Sequence, residues 1–506
     1  MALVLAACAG GGSNGDGPAG DIDPNGELKA AFSLPPMPLD PHRATSDVAQ
    51  FTYASLVYDR LTQIEPGPEV KPLLAESWEF AEDGLSVDFL VREGATFSDG
   101  AAVDAEAVKL SLDRAVFDPE STVAFRFPMI ESIEVVDPMT VRITTNRPAS
   151  DLPYLLAATS ASIVSPNALN NPDLDVKPVG SGPYVLTELT LGESATFERR
   201  DDYWNPDGAL AKTINIVGIA DNNARLNALR SGQVDFILTN AAQADEVKNL
   251  GPDYQVFSYP PGAAYSLFLN YEVPPLDNVE VRRALNHAIN REAITSNLLN
   301  GYCEPLNQPL PSGVAGHVED PPYDYEYDPD LARTMLADAG YPDGFSLKLL
   351  ASAGLSPQDA IAVALQDQFK EIGVTLEIDQ KDPAQAPALY GEGDYGAFVQ
   401  TRVAGATPLL TLLSNFSTSR VFLGQTPQEF KDALSGATDP NLPPEEYESL
   451  LQDASAIANE QAFDGFICAN QSLLATTKRI IGYDEMGVGY YTNVYDFRKV
   501  GVLSDS

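Results

Sequence analysis

The amino-acid sequence predicts an α/β protein of two lobes with an α+β unit beside them. Two stretches, 213–238 and 345–378, repeat one strand, helix, strand order, and in each the helix is closed by a glycine. Such units build parallel sheets through right-handed crossovers. A third stretch, 48–179, instead mixes alternating strands with one amphipathic helix. With 506 residues and 44% apolar content the chain can bury more than one core.

Taken in order, Leu28 to Leu34 reads as a strand broken by Pro35-Pro36 and by Leu39-Asp40-Pro41. Helical spacing follows over Phe51 to Leu61. Leu85, Val87, Phe89 and Val91 alternate with polar residues as in a half-buried strand. After the Asp99-Gly100 turn, Asp104 is placed to cap a helix whose Val108, Leu112, Ala115 and Val116 share a face. Val141 and Ile143 supply another strand. Thr213 to Ile219, Asn222 to Ser231 and Val234 to Leu238 form the first repeated unit, closed by Gly232 after its helix. Phe345 to Leu350, Pro357 to Ile372 and Val374 to Ile378 form the second, closed by Gly373.

The N-terminus points to a membrane tether. Leu5-Ala6-Ala7-Cys8 ends a short apolar run and precedes the glycine-rich stretch Ala9 to Gly20, which can bury nothing and reads as a flexible leash. The pattern resembles a bacterial lipobox, in which the cysteine is lipidated. The apolar run is only Ala2 to Ala7 with no basic residue before it, so the natural precursor is expected to begin further upstream. No stretch of 18 apolar residues occurs in the body, so no transmembrane helix is expected there. A formal charge of −41 argues against nucleic acid and against a polybasic membrane face. Scattered as it is, this acidity fits salt adaptation or a solvated surface better than a cationic ligand. With Cys8 assigned to lipid, Cys303 and Cys468 remain, either as a disulfide or as two buried thiols.

A series of segments resembles the extracellular solute-binding proteins of peptide and nickel ABC importers, family 5. In order they include Leu39-Asp40-Pro41, Leu56-Val57-Tyr58-Asp59-Arg60-Leu61, Leu74-Ala75-Glu76-Ser77-Trp78 and Phe97-Ser98-Asp99-Gly100. Gly180-Ser181-Gly182-Pro183-Tyr184, Asp202-Tyr203-Trp204 and Ser231-Gly232-Gln233-Val234-Asp235 follow. Val281-Arg282-Arg283-Ala284-Leu285, Ala288-Ile289-Asn290-Arg291 and Tyr327-Asp328-Pro329-Asp330 complete the set. The resemblance implies a periplasmic-binding-protein-like type II fold. In it, residues 1–26 are a signal remnant and tether, and lobe I combines 27–47, 179–269 and 482–506. Residues 48–178 form an extra α+β subdomain on lobe I, and 270–481 form lobe II. Two crossings between the lobes imply a hinge that closes on ligand.

An enzyme lacks obvious catalytic groups here. The three histidines, His42, His287 and His317, stand in no metal-binding motif, and His287 suits a solvated or capping role. Gly180-Ser181-Gly182 lacks the flanks of a nucleophile elbow, and its glycines fit a tight turn by the hinge. Asp324, Glu326, Asp328 and Asp330 alternate as in a calcium loop, but Pro329 and Met335 occupy the glycine and glutamate positions such a loop needs. Asp328 capping a helix that begins at Pro329 explains them without metal. No cofactor, metal or catalytic residue is therefore expected.

Ligand specificity turns on one departure from the family. Its peptide binders typically carry in lobe II a tryptophan stretch with an aspartate that neutralises the peptide's amino terminus. The matching stretch, Tyr395 to Pro408, has no carboxylate and carries Arg402. An ammonium buried there without a countercharge costs several kcal/mol by order of magnitude. The guanidinium fork of Arg402 instead suits an anionic group, unless it pairs with one of the many acidic residues. Position alone adds Thr239, Asn240, Tyr265, Asn270, Asn415, Phe416, Tyr490 and Tyr491 as cleft candidates.

The chain is thus expected to be a monomeric, lipid-anchored binding protein on the outer face of the cytoplasmic membrane. It would capture a small organic solute, peptide-like or anionic, and deliver it to an ABC permease. The competing reading is an extracytoplasmic enzyme or sensor domain on the same scaffold.

Overall fold

A computed structural model describes residues 21–65, 70–383, 385–405, 407–417, 422–488 and 494–504. Cys8 and the leash lie outside the described residues, as do Tyr490 and Tyr491.

One mixed sheet runs through both lobes. Its strands lie in the spatial order Val374–Lys381, Phe345–Ser352, Ala397–Val403, Tyr254–Leu269, Asp464–Thr477, Phe236–Thr239, Glu27–Phe32, Thr213–Gly218, Ser194–Arg199 and Tyr184–Thr190. The expected parallel units are present: Glu27–Phe32 pairs in parallel with Thr213–Gly218 and with Phe236–Thr239, and Phe345–Ser352 pairs in parallel with Val374–Lys381. Helices Asn222–Arg230 and Gln358–Glu371 make the crossovers. After the second of these helices Gly373 takes a left-handed φ of 81°, which reverses the chain without strain.

Two long antiparallel strands, Tyr254–Leu269 and Asp464–Thr477, join the lobes. One half of the pair borders Phe236–Thr239 in lobe I, and the other borders Ala397–Val403 in lobe II. A register shift between Tyr259 and Ala263 interrupts the ladder between the halves, and a second lies between Tyr265 and Ser266. The apolar cores divide accordingly. Leu28, Phe32, Ile214, Phe236, Leu474, Ile480 and Phe497 share the lobe I core. Leu347, Leu349, Ile361, Leu365, Phe369 and Val374 share that of lobe II. The α+β unit has its own core of Val87, Phe89, Val108, Leu112, Val141 and Ile143, and Asp104 caps its helix Ala105–Phe117 through Ala107 N.

Three expected boundaries shift. Tyr265, Leu267 and Leu269 pack in lobe II although 179–269 was assigned to lobe I, because the first crossing takes place inside strand Tyr254–Leu269. Leu474 and Ile480 pack in lobe I although 270–481 was assigned to lobe II, because the return crossing takes place inside strand Asp464–Thr477. Tyr53, Leu56 and Tyr58 pack in lobe I rather than in the 48–178 unit. The expected helix over Phe51 to Leu61 is only Thr52–Val57, after which Tyr58 is extended. Gly180 and Gly182 serve a close approach: a Cβ on Gly182 would lie 2.6 Å from the Val57 carbonyl carbon, so only glycine lets the two chains touch.

The family-like segments meet as scaffold. Arg498 donates to Asp59 at 2.8 Å and to Asp496 at 2.9 Å, and Arg60 donates to Asp496 at 3.1 Å. Tyr203 OH and Trp204 Nε1 each donate to the Asp59 carboxylate at 3.2 Å. Asp328 caps helix Pro329–Asp338 through Leu331 N, as expected. Cys303 and Cys468 are joined in a disulfide.

His42 is fully buried. Its Nε2 donates to the Ser162 carbonyl at 3.0 Å, and its Nδ1 accepts from Arg114, which also donates to Asp40 at 2.8 Å. Burial first, and then the neighbouring guanidinium, lower its pKa to about 4. Unfolded, the ring binds its proton near pH 6.5, so between about pH 6.5 and 4 the unfolded chain holds more protons. Stability from His42 is present above that window and falls by about 1.4 kcal/mol per pH unit as pH drops through it. Denaturant titrations at pH 6.5 and 4.5 should therefore show a larger acid loss for the native chain than for His42→Gln; equal losses would contradict this.

Candidate functional site

A cleft of about 910 Å³ opens between the lobes, within the size range of small-molecule sites. Ser150 and Tyr154 of the α+β unit and Ser258 of lobe I form one wall. Lobe II supplies the other from 301–304, Leu306, 309–315, Arg402, Ala404, Gly405, 407–408, Thr411, Asn415, Phe416, Tyr447, Phe466, Ala469 and Asn470. The jaws touch on both sides. Lys248 Nζ donates to Tyr302 OH at 2.6 Å and Tyr302 OH donates to Asp245 at 3.1 Å. Opposite, Ser150 N donates to the Thr438 carbonyl at 2.9 Å.

Arg402 stands in strand Ala397–Val403, and its fork is occupied. Nε donates to Asp464 Oδ2 at 2.7 Å, Nη2 to Asp464 Oδ1 at 2.9 Å and Nη1 to the Asn415 carbonyl at 3.3 Å. The guanidinium carbon lies 3.5 Å from the Phe268 ring centroid and 5.1 Å from that of Phe416. Arg402 and Asp464 side chains are 5% and 0% exposed, so the pair contributes no net charge to the cleft. Burial raises the Asp464 pKa, against the pull of Arg402. The expectation that Arg402 offers a free fork to an anionic ligand is therefore corrected. Its partner lies 62 residues away in sequence, on a strand that only the folded sheet brings alongside.

Of the remaining candidates, Asn415 and Phe416 line the cleft. The Asn415 amide is spent on the Val403 and Thr411 carbonyls, both at 2.8 Å, and Phe416 belongs to an aromatic core with Phe422, Phe430, Phe463 and Phe466. Asn240 caps helix Ala241–Lys248 through Gln243 N. Asn270 is buried and donates to the Gly393 and Tyr395 carbonyls. Tyr265 packs in the lobe II core. Thr239 ends its strand, and neither it nor Asn240, Asn270 or Tyr265 borders the cleft. Sequence reasoning missed Glu304 and Asn470, which do border it. The signal lay in their nearness to Cys303 and Cys468.

Buried arginines fix the lobe II wall. Arg291 Nε donates to the Leu306 and Phe466 carbonyls at 2.9 and 2.7 Å, and burial lowers its pKa to about 10. Strand Glu304–Pro305 pairs with Ala469 and Cys468, beside the disulfide.

A cleft between two α/β lobes on shared strands is an arrangement suited to holding a small molecule between the lobes. Residues 69–422 match the model of bacterial extracellular solute-binding proteins, family 5. The chain is 32% identical over 408 residues to the glutathione-binding protein GsiB of Salmonella paratyphi A, covering 78% of each. Its structure is similar to HbpA2 of Haemophilus parasuis, with a TM-score of 0.82, 25% identity, 94% of this chain and 100% of that one. It is also similar to AgaA of A. tumefaciens R10 in complex with agropinic acid, with a TM-score of 0.77, 26% identity, 95% of this chain and 99% of that one. The chain belongs to the family 5 extracellular solute-binding proteins, the extracytoplasmic binding components of ABC importers. Among the described residues no helix is long and apolar enough to cross a membrane.

Because Arg402 neutralises a buried carboxylate, Arg402→Ala leaves Asp464 unpaired. Breaking such a pair costs about 3 to 5 kcal/mol, so the unliganded variant should melt well below the native chain. Removing both partners in Arg402→Ala/Asp464→Ala should cost less than the sum of the single losses. An unchanged melting temperature in Arg402→Ala would contradict the pair's structural role.

Proposed function

We propose that this chain works as a monomer tethered through lipid on Cys8 and hands a small peptide-like solute to an ABC permease. One observation carries the solute class: the cleft joins apolar surface from Leu306, Leu310, Phe416 and Phe466 to a few polar groups under jaws that meet. That combination suits a short polar chain with apolar side groups. The glutathione-binding relative supports the same class. The glycine-rich leash after Cys8 supports the tether, since it gives a folded body reach from an anchored end.

Calorimetric titration with glutathione and with a mixture of unmodified di- to pentapeptides should find one bound molecule per chain, recovered unaltered. Ala404→Trp, which fills the cleft, should abolish binding while the protein still melts cooperatively. Binding that survives this substitution, or conversion of the bound molecule, would favour the enzyme or sensor alternative. The tether is tested separately. The protein expressed in its host should partition with membranes, and Cys8→Ser should be released in soluble form; equal retention of both would remove the anchor.

A further inference from the structure

Among the described residues lining the cleft, the charged ones are Glu304 and Arg402. Arg402 is neutralised by Asp464 at 2.7 and 2.9 Å. The Glu304 carboxylate makes no hydrogen bond or ion pair among the described residues, and the residue is exposed. The site therefore carries one uncompensated negative charge. Glu304 is also held in place: it pairs with Ala469 in the sheet, follows the Cys303–Cys468 disulfide, and precedes Leu306, whose carbonyl Arg291 grips at 2.9 Å. Asn470, next to Ala469, lines the cleft with an amide that makes no hydrogen bond among the described residues. A carboxylate on an anchored strand, lining one cleft with an amide that is not otherwise bonded, offers acceptors to a hydrogen-bonding cation. The field of a chain with formal charge −41 draws cations toward it as well.

We propose that Glu304 is the charge-selecting residue of the cleft and that the solute presents it an amine cation, as an unblocked peptide does. This rests on the solute-binding reading above and reverses the anionic preference expected from Arg402. Tripeptides with free amino termini, titrated against the full chain, should bind more tightly than the same peptides N-acetylated. Glu304→Gln should weaken the free peptides by about fivefold or more while leaving the acetylated ones unchanged. Glu304→Asp should keep part of the preference, and high salt should shrink it. Glu93→Gln, a remote exposed carboxylate, should change nothing, which separates the site from the overall field. Equal or tighter binding of acetylated peptides, or free-peptide affinity unmoved by Glu304→Gln, would overturn the inference. If neither peptide form binds, the peptide-like reading fails and the solute released on denaturing protein from its host decides the charge. A solute without a cationic group then overturns the role of Glu304, and an amine whose affinity falls in Glu304→Gln supports it.

Discussion

The pairing of Tyr254–Leu269 with Asp464–Thr477 is the constraint on which the other features rest. Each strand is long enough to belong to both lobes, so one ladder carries the chain across the molecule and back. Its register shift between Tyr259 and Ala263 falls where neighbouring strands change from lobe I to lobe II, and a second follows at Tyr265 and Ser266. A bulge bends its strand locally, so the same residues that unite the lobes form the axis along which they meet. Ser258, Ala263 and Ala264 on one strand and Phe466, Ala469 and Asn470 on the other border the cleft, which places the binding surface directly on that axis.

Around this axis, buried charge serves architecture. Arg291 ties the cleft wall to the lobe II body through backbone carbonyls, and Arg282 does the same for the Gln461 and Leu276 carbonyls. Arg498, Asp59, Asp496 and Arg60 clamp the C-terminal segment to the start of the α+β unit. Such groups are costly to strip of their partners, since an unpaired buried charge keeps its desolvation penalty. The family-like segments are therefore recognisable mainly because they build the scaffold, and the cleft lining comes largely from elsewhere, from residues within 301–315 and around Ala404.

The sequence made the parallel units legible because each repeats a strand, helix, strand order with a glycine closing its helix. It made the α+β unit legible through Asp104 and the Val87, Phe89 pattern. It could not show where a strand changes lobes, since Leu474 and Phe466 look equally apolar in a line of text. Cleft residues were harder still. Asn240 and Asn270 are amides near strand ends, as binding residues often are, yet a helix cap and two buried carbonyls account for them. Arg402 stood out as an unusual cation, but its countercharge comes from a strand distant in sequence. Glu304, one carboxylate among many, becomes distinctive only when the fold shows that nothing neutralises it.

Hydrogen exchange on the full chain, with and without the solute carried from its host, tests the assignment of the cleft most directly. Binding between the jaws should slow amide exchange in 301–315 and 407–411, and along 466–470, while the α+β core around Val87 and Phe89 stays unchanged. Protection confined to surfaces away from these segments, or none despite stoichiometric binding, would contradict it.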